Sequence, residues 1–262
     1  MKVQVLVAAM NKNPVELAEK MNLSSDAIII NQCNSVPVTG FEVFSHKNRE
    51  IKCYHFQEKG VGLSRNNAFM RADRDICLFS DEDIVYEDDY EARILEEFEK
   101  NPKAHMIVFQ IEVEEERRTY EINKRKRVHF YNAGRYGAVS FAIRTDSLKK
   151  SGVSFSLLFG GGAKYSNGED SLFIKEFMAK GYRVYTAPVK IGREEAVDSS
   201  WFSGYHDKFF IDRGVLYHSL YGYGAKLMAL RFLIAHKNKM CVNHTVLQAY
   251  ELMCKGIRIG KE

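Results

Sequence analysis

Residues 76–83 read Ile-Cys-Leu-Phe-Ser-Asp-Glu-Asp, a short apolar strand running directly into three acids. The first five residues can be buried, but Asp81, Glu82 and Asp83 cannot follow them into a core without partners. They must emerge at the carboxyl end of the strand, where open α/β sheets bind their ligands. Carboxylates crowded there repel one another, and a hard divalent cation relieves that repulsion. A phosphate-bearing substrate would supply the remaining oxygen ligands. The competing account is a solvated acidic turn that leads into the next helix.

The surrounding sequence alternates strand and helix signals. Strands are expected at 3–9, 27–31, 41–45, 52–56 and 76–80, with helices at 14–21, 63–71 and 88–100. Pro14 suits a first helical turn, Asp88 or Asp89 an N-cap, and Asn101-Pro102 a stop. This alternation predicts a mainly parallel sheet covered on both faces. Beyond residue 105 further strands are expected at 106–113, 128–131, 138–143 and 182–187. A glycine-rich loop should span 152–168 and a helix 171–180, and from residue 206 the pattern is helical, aromatic and basic. With 262 residues, 45% of them hydrophobic, the chain can bury one sizeable core and a smaller appendage.

Charge and cysteine usage narrow the function classes. A net charge of +4 is too weak to argue for nucleic acid. The acids are concentrated in residues 81–99, where ten stand against the single base Arg93, and the run Lys124-Arg125-Lys126-Arg127 is the opposite extreme. The five cysteines form no Cys-x-x-Cys pair, which argues against a disulfide framework or a structural zinc site. Reduced thiols and a cytoplasmic location are therefore expected. The apolar start is short and interrupted by Gln4, so it suits a first strand better than a signal peptide. No stretch approaches the ~20 apolar residues of a membrane span.

Two further segments carry chemistry. In Gly60-Val61-Gly62-Leu63-Ser64-Arg65-Asn66 the glycines allow close backbone approach. Arg65 and Asn66 should open a helix whose N-terminus, with the Arg charge, suits a phosphate. A plain turn with a solvated Arg is the alternative. In Gly168-Glu169-Asp170, directly before the helix at 171, Asp170 can be the N-cap, a general base at the mouth of the sheet, or both.

Taken in order, the three segments resemble family 2 glycosyltransferases of the GT-A fold. Gly62-Leu63-Ser64-Arg65-Asn66 is similar to the family's Gly-x-x-x-Ala-Arg-Asn-like segment. Asp81-Glu82-Asp83 resembles its metal- and donor-binding Asp-x-Asp motif, and Glu169-Asp170 its Glu-Asp pair. The resemblance covers roughly residues 1–190. It implies a GT-A-type nucleotide-diphospho-sugar transferase fold with a mainly parallel central sheet, flanking helices and a helical C-terminal tail. The expected division is a catalytic domain at 1–205 (a nucleotide-sugar half at 1–105, an acceptor half at 106–205) and an extension at 206–262. The implied activity is inverting, metal-dependent hexosyl or N-acetylhexosaminyl transfer in bacterial surface polysaccharide synthesis. Asp170 would be the catalytic base, and Asp83 would hold Mg²⁺ or Mn²⁺, with His206 as an additional ligand weighed against a packing histidine. Ala9, Asn11, Asn31, Arg65, Asn66, Asp81 and Glu169 would face the nucleotide sugar, and Tyr136, Gly162 and Trp201 the acceptor.

The chain departs from the family pattern in two places. The second strand ends in Asn31 rather than the usual nucleobase-contacting Asp, although an amide can still bond a uracil or thymine edge; a UDP-sugar is the favoured donor. Glu82 is bulkier than the small residue usual between the two Asp. The acceptor would be a glycan or a lipid-linked sugar. In the tail, Lys226, Arg231, His236, Lys237 and Lys239 are interleaved with Leu227, Met228, Leu230, Phe232, Leu233 and Ile234. Such a helix can lie on an anionic membrane as a peripheral contact at its inner face, or pack on the catalytic domain. A sugar-1-phosphate nucleotidyltransferase would want a glycine-rich loop after the first strand, where the chain has Ala8-Ala9-Met10-Asn11-Lys12-Asn13-Pro14. A non-catalytic nucleotide-sugar or glycan-binding module would leave Asp83 and Asp170 together unexplained.

Overall fold

The computed structural model describes residues 1–33, 40–114, 120–195 and 204–261. Its strands are β1 (Val3–Met10), β2 (Asp26–Gln32), β3 (Gly40–His46), β4 (Arg49–Phe56), β5 (Ile76–Asp81), β6 (Ile84–Tyr86), β7 (Met106–Glu112), β8 (Lys126–Arg127), β9 (Phe141–Arg144) and β10 (Val184–Glu194). Its helices are α1 (Pro14–Lys20), α2 (Val61–Arg71), α3 (Tyr90–Lys100), α4 (Thr145–Ser151), α5 (Glu169–Ala179), α6 (Asp207–Tyr221), α7 (Ala225–Met240) and α8 (Val246–Ile259).

One sheet runs in the order β3-β4-β2-β1-β5-β9-β7-β10-β6, with β8 paired to β10. The neighbours β4-β2-β1-β5 are parallel, as the alternation of the first ninety residues predicts. Beyond β5 the sheet is mixed: β9 is antiparallel to both β5 and β7, and β10 is parallel to β7. Because β2 lies on one side of β1 and β5 on the other, the chain changes direction there. The carboxyl ends of β1 and β5 frame the crevice in which such sheets bind ligands.

The strands are covered on both faces, so β2 is buried throughout, with an unbroken apolar run at 27–30. Alternation along β5 sorts its side chains. Ile76 and Leu78 join the core under α1 and α3, while Cys77 and Phe79 join the core under α2, α4 and α5. In that second core Phe173 stacks on Phe155 at 4.1 Å, and Phe79 meets both edge-on. α6, α7 and α8 form a third core around Phe210, Ala229 and Met253. A small apolar patch of Phe159, Val215, Leu216 and Leu220 joins α6 to the glycine-rich loop.

Several expected elements shift. Residues 128–131 are not a strand; the strand lies just before them at Lys126–Arg127. Residues 138–140 form a 3₁₀ turn ahead of β9. Asp89 is the N-cap of α3 by position but makes no capping bond, because its carboxylate pairs with Arg93 at 2.8 Å. The largest change concerns α5, which starts at Glu169 with Gly168 as N-cap. Asp170 therefore lies inside the first turn rather than capping it.

Candidate active site

The three motifs meet on Arg65. Its Nη2 donates to both oxygens of Asp81, at 3.0 and 3.2 Å, and its Nη1 donates to Glu169 at 3.1 Å and Asp170 at 2.8 Å. The guanidinium is 3% exposed and lies over the Phe155 ring. Burial alone would lower its pKa, but the charges of Asp81, Asp170 and Glu169 hold it above the ordinary value.

This geometry corrects the expected role of Arg65. α2 begins at Val61, so Arg65 stands in its second turn and faces the chain's own carboxylates rather than a phosphate. At the start of the helix the Val61 N–H is already taken up by the Gly161 carbonyl. The close approach permitted by glycine occurs between two chain segments. A Cβ on Gly62 would sit 2.5 Å from the Ser156 carbonyl, and one on Gly162 would sit 3.2 Å from the Gly60 backbone. Gly162, which is exposed, thus lies against the backbone at the start of α2.

Asp170 gains its chemistry from its neighbours. Burial and then the charge of Glu169 push its carboxyl up to about 7, against the opposing pull of Arg65. A carboxylate poised there can exchange a proton near neutral pH. It lines a cavity of about 510 Å³ together with Tyr136, Tyr120, Glu194 and, from the C-terminal helices, Phe209 and Arg213. Tyr136 is 4% exposed and packs edge-on against Tyr120.

Asp83 follows β5 in a tight turn. Burial first, then the charges of Asp81 and Glu194, raise its carboxyl to about 6. A divalent cation would relieve this repulsion. Glu82 is turned away: it accepts from the Met10 N–H at 2.7 Å and pairs with Lys12, anchoring the end of β1.

Several of the other expected contact residues are engaged within the fold. The Asn31 side chain is 2% exposed and bonds the Lys12 N–H at 3.0 Å and the Lys12 carbonyl at 2.7 Å. Its amide fixes the loop after β1 and is not free for a nucleobase. Asn66 bonds the Phe155 N–H and carbonyl in the same way, at 2.8 and 2.9 Å. Ala9 turns its side chain into the core beneath the sheet. Asn11 sits exposed in the following loop with a positive φ of 53°.

His206 is the exposed N-cap residue of α6. Among the described residues it forms no three-ligand group with Asp81 and Asp83; the one such group is Glu42, Cys53 and His55. There His55 Nε2 faces Glu42 at 2.7 Å and Nδ1 faces the Asn31 amide, so the ring is satisfied without a metal. Trp201 lies outside the described residues. Two cavity residues, Glu194 and Arg213, were not signalled by any motif; elements distant in sequence from the motifs bring them in.

Residues 28–158, half of the chain, match the family model of glycosyl transferase family 2. No curated protein matches the sequence. Among solved structures, S. aureus TarS residues 1–349 in complex with UDP-GlcNAc superposes with a TM-score of 0.60 at 15% identity, covering 93% of this chain and 74% of TarS 1–349. The mannosyltransferase PcManGT from Pyrobaculum calidifontis, in complex with GDP-Man and Mn²⁺, superposes with a TM-score of 0.53 at 12% identity, covering 99% and 75%. At these identities the likeness is one of fold.

Proposed function

This chain belongs to glycosyl transferase family 2 and is a glycosyltransferase, and we propose that it moves a sugar from a nucleotide diphosphate to an acceptor hydroxyl with inversion, using Asp170 as the base. The observation that carries the proposal is the convergence of Asp81, Glu169 and Asp170 on the single buried Arg65. The nucleotidyltransferase and the non-catalytic module give no account of that convergence.

In this reading Arg65 locks the orientation of Asp81 and Asp170 so that both face the crevice. The raised pKa of Asp170 lets its carboxylate take the acceptor proton near neutral pH. Asp83 would hold the divalent ion, Mg²⁺ or Mn²⁺; the Mn²⁺ bound to PcManGT supports this choice. When bound, such an ion supplies Lewis-acid stabilisation of the departing diphosphate. UDP-GlcNAc in TarS and GDP-Man in PcManGT support a nucleotide-sugar donor, and a UDP-sugar remains our first choice. The domain division at residue 205 and a role in bacterial surface polysaccharide synthesis belong to the same proposal.

Donor use is tested by thermal-shift screening of nucleotide sugars, followed by hydrolysis of the best one with and without Mn²⁺. Metal-dependent release of the nucleotide, and transfer products of inverted anomeric configuration by NMR, are expected. Retained configuration would overturn the role given to Asp170.

A peripheral membrane contact through α7 is supported by an exposed stripe. Tyr223, Leu227, Leu230 and Ile234 recur at helical spacing, beside the exposed Lys226, Arg231 and Lys237, while Ala225, Ala229 and Leu233 face inward. No helix among the described residues is long and apolar enough to cross a membrane. Salt-sensitive sedimentation with anionic liposomes, but not with neutral ones, is the expected outcome. Absence of binding to either would remove this contact, and with it the placement at the inner face of the membrane.

A further inference from the structure

Among the described residues Arg213 is a cation with no ion-pair partner. It lies on α6, half-buried, with its guanidinium over the rings of Phe209 at 5.1 Å and Phe232 at 5.0 Å. Its Nε is fully buried and has no hydrogen-bond partner. Among the described residues no carboxylate pairs with it. The groups it senses are the phenols of Tyr217, Tyr205 and Tyr221, and burial pulls the guanidinium below its ordinary pKa. On the side of these aromatic rings the further titratable groups are basic: Arg231 faces Tyr217 and Tyr221, and Lys239 faces His236, which Arg213 also faces. An uncompensated buried charge is costly, and aromatic stacking offsets only part of that cost. A guanidinium in such a setting is matched to an oxyanion, which its planar fork can bind with two bonds.

The cavity decides which oxyanion. Arg213 shares its wall with Asp170, Tyr136 and the exposed Arg135, whereas Asp81 and Asp83 are absent from that wall. The cation therefore stands on the side of the base and not on the side of the metal. Two acids of the same cavity wall, Glu169 and Asp170, are already held by Arg65. We propose that Arg213 binds a phosphate group of the acceptor, close to the hydroxyl that receives the sugar, so that the enzyme selects phosphorylated acceptors. This rests on the glycosyl-transfer reading and deepens it. The phosphate can belong to a lipid-linked sugar or to a water-soluble phosphorylated polyol; both present the same group to the fork.

The test uses the full chain and three probes: geranyl monophosphate, glycerol 3-phosphate, and uncharged geraniol. Binding is measured by calorimetry, first in EDTA, where the acidic donor side repels anions, and again with saturating UDP and Mn²⁺. The expected result is that at least one phosphorylated probe binds under both conditions and that Arg213→Gln weakens it roughly 10- to 100-fold. Arg213→Lys, which keeps the charge without the fork, should fall between the two and serves where Gln disturbs the aromatic packing. Binding by geranyl monophosphate alone assigns the lipid-linked source, and binding by both assigns the phosphate itself. No binding by either phosphate, equal binding by Arg213→Gln, or displacement of the probe by UDP would each overturn the proposal. Donor hydrolysis by the wild type is a separate readout: its absence would sink the glycosyl-transfer reading whatever the anion titrations give.

Discussion

Arg65 is the residue on which most depends. One guanidinium, 3% exposed, holds three carboxylates contributed by two separate elements. Removing it would leave Asp81, Glu169 and Asp170 facing one another without a cation. Arg65→Gln should therefore lower stability by about 3–5 kcal/mol, the usual cost of breaking a buried ion pair from one side. A thermal melt followed by circular dichroism would measure it, and Arg65→Lys should rescue poorly because an ammonium cannot reproduce the fork. Asp170 makes a prediction about pH. Its folded pKa of about 7 lies above the ordinary 3.8, so the active ionised form appears as pH rises. kcat/KM should climb with pH through about 7 and level off above it. The same raised pKa means that the folded state holds the proton more tightly than the unfolded one. This group's contribution to stability therefore falls between about pH 4 and pH 7. A rate that declines across that range would contradict the assignment of the base. The identity of these acids was legible in the sequence because strand ends and helix starts bring charge to the crevice. The role of Arg65 was not legible, because its partners lie 16, 104 and 105 residues away. The same limit hid the work of Asn31 and Asn66, whose amides bond backbone that only the tertiary fold brings near.

Among the elements, the parallel strands and the helices between them could be anticipated from burial pattern and turn chemistry. Asn13 caps α1 just before Pro14, and its side chain accepts from the Val15 and Glu16 N–H groups. The short elements were harder. β6 and β8 have three and two residues, and pairing with β10 rather than local pattern makes them strands. α4 was missed because it immediately follows β9 with no intervening turn signal. In the C-terminal part α6 and α8 cross at Gly214 and Gly256. A Cβ on Gly256 would fall 2.0 Å from the Ile211 carbonyl, and one on Gly214 would fall 2.1 Å from the Met253 carbonyl. Both contacts are to backbone, so no side chain can rotate away. Gly256→Ala should force the helices apart and cost roughly 1–3 kcal/mol, read as a lower Tm. An unchanged melt would mean that the helices can separate without loss.

The whole molecule is a sheet domain with two cores and a helical unit with a third, and the cavity lies where they meet. The sheet domain supplies Tyr136, Asp170 and Glu194 to that cavity, while the helical unit supplies Phe209 and Arg213. α6 is fixed to the glycine-rich loop by the buried Asp212, which accepts from the Ser166 N–H at 3.0 Å. Truncation before α6 would therefore remove one wall of the cavity and expose Phe159 and Leu172. The account stands most directly on Asp170, and one comparison tests it. Wild type and Asp170→Asn should be assayed side by side for transfer from the preferred nucleotide sugar, and for nucleotide affinity by calorimetry with Mn²⁺. Transfer is predicted to fall roughly 100- to 10,000-fold, the contribution of a general base, while nucleotide affinity stays within about twofold. A variant that kept most of its turnover, or that lost nucleotide binding along with it, would contradict the claim.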